Sequence, residues 1–96
     1  MSDVRREIDR IDRALVTLLA ERQTYIERAA VLKQSRDLVH DSARIEDVVA
    51  KVLASAKREG LSAEIAEPVW RLLISQCIAH EMRCFDRLRS AEKASS

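Results

Sequence analysis

Residues 3–33 read DVRREIDRIDRALVTLLAERQTYIERAAVLK, an unbroken stretch without glycine or proline. Placed on a helical wheel at about 100° per residue, Val4, Ile8, Ile11, Leu15, Leu18, Leu19, Tyr25, Ile26 and Ala29 fall within about 60° of one direction. Arg22 and Lys33 fall there too. The eleven-residue spacing between these two returns them to within about 20° of the same azimuth and sets their Cα atoms about 16.5 Å apart. Two cations thus project where an apolar core belongs. An unpaired buried cation costs several kcal/mol, so the chain has to supply anions there or bind them, and the pattern reads as that of a binder.

The same stretch speaks for a dimer. A helix of thirty residues is about 45 Å long, whereas a compact domain of this size has a radius of gyration of about 12–13 Å. Such a helix overhangs any monomeric globule and carries its apolar stripe with it. The cheapest cover is a second copy of the chain packed about a two-fold axis.

The rest of the composition agrees with an all-helical protein. The 96 residues contain one Gly, one Pro and three aromatics among abundant Ala, Leu, Arg and Glu, which are good helix formers. One domain is expected over residues 1–96. Seventeen basic and 16 acidic residues leave a net charge of +1, which gives no global field to attract nucleic acid or an acidic membrane. Cys77 and Cys84 lie seven apart in one expected helix, about 10.5 Å of rise, too far for a disulfide within it. They read as reduced thiols. The first residues show no apolar signal region and no run is long enough to span a bilayer, so a cytoplasmic protein is expected.

Along the chain, Ser2 or Asp3 is positioned to cap a first helix of about 3–34. A short polar connection follows at Gln34–His40. Asp41 or Ser42 caps a second helix, 42–59, whose Ile45, Val48, Val49, Val52, Leu53 and Ala56 form one face, and Gly60 ends it. Ser62 opens a third helix over 62–89, with Glu64 in its first turn and a bend or restart expected at Pro68. The tail 90–96 is expected to be disordered.

The third helix repeats the oddity of the first. Trp70, Leu73, Ile74, Cys77, Phe85 and Leu88 share a face, and Glu81 lies within about 40° of its centre. One reading has Glu81 neutralising Arg22 or Lys33 in a buried ion pair. Two core-facing cations against one carboxyl still leave positive charge over, which Arg44 enlarges and Asp41 offsets. The sharper reading is a water-poor pocket for a small dicarboxylate, with arginine forks taking carboxylates in bidentate fashion. Other chemistries find no support: a single glycine excludes a phosphate-cradling loop, and no Ser-His-Asp order suggests itself. Cys77, His80 and Cys84 project along one side of a helix but match no common zinc spacing and lack a fourth ligand. Packed thiols and a boundary histidine are preferred, so no metal is expected.

Arg5, the run LLAER ending at Arg22, then Lys33, Asp41-x-x-Arg44 and Glu81 together resemble the all-helical chorismate mutases of the AroQ class, over Arg5 to about Leu88. The resemblance implies an all-α, intertwined homodimer of three helices per chain, with two equivalent sites and no cofactor. Arg22 and the partner chain's copy of Arg5 would hold the substrate's two carboxylates. Arg5 suits that role independently, since it lies about 100° from Arg22 on the wheel and the two hardly reach one ligand from one helix. Lys33 and Glu81 would be the catalytic pair at the ether oxygen of the breaking bond, Glu81 only when protonated. Asp41 would take the substrate hydroxyl, Arg44 would support the site, and Ile45 and Cys77 would also contact substrate. Glu81 stands where many members have glutamine. Ile45 stands where a mutase usually has glutamate, and the related isochorismate-pyruvate lyases carry an aliphatic residue there. The expected activity is rearrangement of chorismate to prephenate in aromatic amino-acid biosynthesis. The alternatives are isochorismate-pyruvate lyase, which leaves salicylate, and a non-catalytic helical dimer with its charges paired internally.

Overall fold

The computed structural model describes residues 1–95, with side chains to residue 93. Three α-helices carry the chain: α1 (Ser2–Leu32), α2 (Ser42–Glu59) and α3 (Ala63–Ser95), with a single 3-10 turn at Arg36–Leu38 between the first two. The all-α expectation holds. No helix among the described residues is long and apolar enough to cross a membrane.

Local chemistry sets most of the boundaries. α1 begins from Met1 with no side-chain cap, so neither Ser2 nor Asp3 caps it, and both lie inside its first turn. It ends at Leu32, where Lys33 turns to extended backbone while its N–H still donates to Ala29 O. Ser35 restarts the chain by accepting from Asp37 N, which stabilises the 3-10 turn. Asp41 caps α2, its Oδ1 accepting from Arg44 N at 3.1 Å. Lys57 and Arg58 lie in the last turn of α2, where cations suit the helix dipole. Gly60, at φ 77°, then reverses the chain in the left-handed region. Leu61 N–H reaches back to Ala56 O at 2.8 Å. Ser62 launches α3, its hydroxyl accepting from Glu64 N at 3.2 Å.

α3 is continuous through Pro68, so the helix does not restart there: the proline is its sixth residue and removes one backbone bond near the helix end. The helix also continues past Arg89 to Ser95, where a disordered tail was expected. Ala91, Glu92 and Lys93 are good helix formers with no breaker among them, and Arg89 pairs with Glu92 one turn on. Ser96 lies outside the described residues.

α3 packs against both other helices. Arg71 forks onto Glu46 of α2 at 2.9 and 3.0 Å. That fork holds Glu46 below its usual range, and Glu46 together with Glu67 holds the guanidinium above its own. Arg36 forks similarly onto Asp86, and Arg89 stacks on Phe85 while donating to Lys33 O. These bonds fix the end of α1 and the connection to α3.

Among the described residues, every buried position lies at Ala30 or later. The first two-thirds of α1, to Glu21, therefore stand free of the core in a single chain. Val4 is 55 % exposed and Leu18 60 %, with Ile8, Ile11, Leu15 and Leu19 also largely uncovered. The molecule measures 59 × 29 × 15 Å, with a radius of gyration of 16.8 Å, well above the roughly 12–13 Å of a compact chain this long.

Candidate active site: a cationic cavity behind the last turns of the first helix

The one stretch of α1 that does pack, its last three turns, forms one wall of a cavity of about 380 Å³. The connection, the start of α2 and the middle of α3 close it. Ile26 and Ala29 line it from α1, Leu38 and Val39 from the connection, Ile45 and Val48 from α2, and Ile74 and Ile78 from α3. The polar groups set into these apolar walls are Arg22, Lys33, Asp41, Arg44, Cys77 and Glu81. An apolar pocket with a few convergent polar groups is the usual form of a small-molecule site.

Glu81 is the most enclosed of them, 4 % exposed. Its Oε2 accepts from Lys33 Nζ at 2.7 Å, an ion pair with the carboxylate buried and the ammonium about a quarter exposed. Arg22 behaves differently. Its Nη1 donates to Cys77 Sγ at 3.2 Å, and among the described residues no carboxylate comes within ion-pair distance of it. A guanidinium resting on a thiol has most of its donors still to use.

Asp41 is at the cavity with its carboxylate engaged in the α2 cap. Arg44 also lines the cavity, but its Nη1 pairs with Asp47 at 2.7 Å and the side chain is 62 % exposed. Asp47 is shared with Lys51, whose hydrogen bond is the main cause holding that carboxyl below its usual range, with Arg44 adding to it. Such exposed pairs contribute little, so Arg44 is easily released to a ligand. The lining carries three cations, Arg22, Lys33 and Arg44, against two acids, Asp41 and Glu81. One positive charge is left over, and it sits with Arg22.

Seven of the eight residues singled out from the sequence thus meet at one cavity. The eighth, Arg5, does not. It lies seventeen residues before Arg22 on the same helix, about 25 Å away, and is exposed. Ile26, Ala29, Ile74 and Ile78 were not picked out as site residues, although their spacing from Arg22, Lys33 and Glu81 places them on the same helical faces. Leu38 and Val39 could not be found by periodicity, because they belong to an irregular connection.

A family model described as chorismate mutase type II matches residues 4–82, a span that includes every residue of the cavity. The isochorismate pyruvate lyase of Pseudomonas aeruginosa is 28 % identical over 91 residues, covering 95 % of this chain and 90 % of that protein.

Proposed function

We propose that this chain, which belongs to the chorismate mutase type II family, rearranges chorismate to prephenate. The observation that carries the reading is the convergence of Lys33 and buried Glu81 on one point of an apolar wall, with the unpaired Arg22 guanidinium lining the same cavity. A dicarboxylate with an ether bridge fits that layout. Arg22 takes one carboxylate in a fork, and Asp41 takes the ring hydroxyl.

The reaction breaks the ether C–O bond as a C–C bond forms, with no proton or covalent intermediate needed, so the protein has two tasks. It folds the enolpyruvyl arm over the ring, which removes the entropy of finding that conformation. It also stabilises negative charge growing on the ether oxygen, for which Lys33 is one donor and Glu81, paired with Lys33 in this structure, is the other only when it carries a proton. The apolar walls of the cavity lower the dielectric around those donors relative to open water, which strengthens their action.

Lys33 is engaged at Glu81 and Arg44 supports the site from its exposed rim, so in this reading a further cation serves the second carboxylate. The uncovered stripe from Val4 to Leu19 supports a homodimer, and there the partner chain's copy of Arg5 would complete each site. A lyase acting on isochorismate, releasing pyruvate and leaving salicylate, is the second reading. Ile45 and the relationship to the Pseudomonas aeruginosa protein favour it. The deciding experiment incubates purified protein with each substrate separately and identifies products. Prephenate from chorismate is the expected outcome. Salicylate and pyruvate from isochorismate alone would make it a lyase, and inertness of a well-folded protein towards both would leave a scaffold.

A further inference from the structure

We propose that Glu27, His80 and Cys84 form a binding site for a divalent transition-metal ion of the zinc type, separate from the cationic cavity. Glu27 comes from α1, and His80 and Cys84 come from α3, where a four-residue spacing puts both on one face. His80 Nε2 lies 2.6 Å from Glu27 Oε2 and 3.7 Å from Cys84 Sγ. One donor atom from each residue lies within 4.8 Å of the other two. None of the three lines the cavity.

The two contacts of His80 meet at the same ring nitrogen, and this distinguishes a metal site from a nucleophile relay. A Cys–His–carboxylate relay uses the two ring nitrogens for different partners, one to orient the ring and one to move the proton. Here a single nitrogen faces both the carboxylate and the thiol, and one proton cannot bond well to both. A cation between the three satisfies them together. Tetrahedral zinc holds N, O and S ligands about 3.4–3.6 Å apart, from bond lengths of about 2.0–2.3 Å. The His80–Cys84 separation is already close to that span. The Glu27–His80 separation must widen by about 0.8 Å as metal replaces the shared proton, a movement open to a Glu27 side chain that is 41 % exposed. Carboxylate and thiolate together balance the charge of a divalent ion. Arg87 Nη2 donates to Cys84 Sγ at 3.1 Å. The half-exposed side leaves the fourth position to water.

The sequence alone suggests a different trio, with Cys77 in place of Glu27. The structure removes Cys77, which faces Arg22, and supplies a ligand from another helix, so the bound ion would tie α1 to α3.

The test is titration of metal-free protein with cobalt(II) alone, read by the thiolate-to-cobalt charge-transfer absorption in the near ultraviolet, followed by displacement with zinc. One ion per chain is expected. The band should vanish in Cys84→Ser and persist in Cys77→Ser, and affinity should fall at least about tenfold in His80→Gln and in Glu27→Gln. Zinc should also raise the wild-type Tm in proportion to the logarithm of its concentration. Glu27 is half exposed, so Glu27→Gln reports on binding even if a change at buried Cys84 disturbs folding. No charge-transfer band at saturating cobalt, a band that survives Cys84→Ser, or an affinity indifferent to both Glu27→Gln and His80→Gln would each overturn the site.

Discussion

Arg22 has no carboxylate within ion-pair reach among the described residues, whereas Lys33 holds buried Glu81 at 2.7 Å, so truncating the two affects stability in different ways. Arg22→Ala removes a cation with only a thiol partner. Urea unfolding should show unchanged or slightly higher stability, while kcat/KM falls by about a hundredfold or more, the scale of one lost electrostatic donor. Lys33→Ala should lose comparable activity and also about 1–3 kcal/mol of stability, because it strands a buried acceptor. Equal stability of the two variants would contradict the pairing. The wheel reads Arg22 and Lys33 as equivalent, since both share an azimuth with the apolar stripe. Their difference depends on which residues of α3 face them, and one-dimensional periodicity does not contain that. Glu81 offers the other residue-scale prediction. In the proposed reaction its side chain donates to the ether oxygen, which a neutral amide can also do and a methyl cannot, so Glu81→Gln should stay active and Glu81→Ala should lose most of kcat/KM. A glutamine variant as inactive as the alanine one would remove Glu81 from the chemistry.

At the scale of elements, the turn between α2 and α3 depends on one residue. Gly60 has φ 77° and nothing within 4 Å of where a Cβ would lie, so Gly60→Ala meets backbone strain without a clash. It should cost about 1–2 kcal/mol, the penalty for an L-residue in the left-handed region. A urea midpoint unchanged from wild type would show that the turn relaxes. Gly60, Asp41 and Ser62 were legible because each acts on its own neighbours: a left-handed stop, and side-chain oxygens accepting from backbone N–H groups two or three residues on. Pro68 and the end of α3 were less so. Propensity marks proline as a breaker, but within the opening turns of a long helix packed on two others it removes a single bond. Past Arg89 the helix gains from contacts a sequence does not display, since Arg89 lies over Phe85 and donates to Lys33 O.

For the whole molecule, the elongated shape is the physical form of an unfinished core. α1 buries only Ala30, and its stripe from Val4 to Leu19 is open to solvent, an exposed apolar patch of the kind that marks a protein–protein contact. The periodicity of residues 3–33 made that stripe and its overhang legible, because both follow from helix length against domain size. It could not say which end would be covered within the chain. The proposed two-fold dimer would cover the open end and would account for the distance of Arg5, unlike the other seven candidate residues, from the cavity of its own chain. Sedimentation equilibrium should therefore give twice the chain mass down to low concentration. A stable, active monomer would contradict both the dimer and the shared site. Mixing inactive variants tests the sharing itself. If each site takes Arg22 from one chain and Arg5 from the other, Arg5→Ala and Arg22→Ala are each inactive as homodimers. Co-refolded in equal amounts, half of the dimers are mixed, and each mixed dimer has one intact site and one doubly defective site. About a quarter of the wild-type sites should reappear by the symmetry of such a pair. If both arginines served the same chain's site, no mixed dimer would contain an intact site, and mixing would restore nothing.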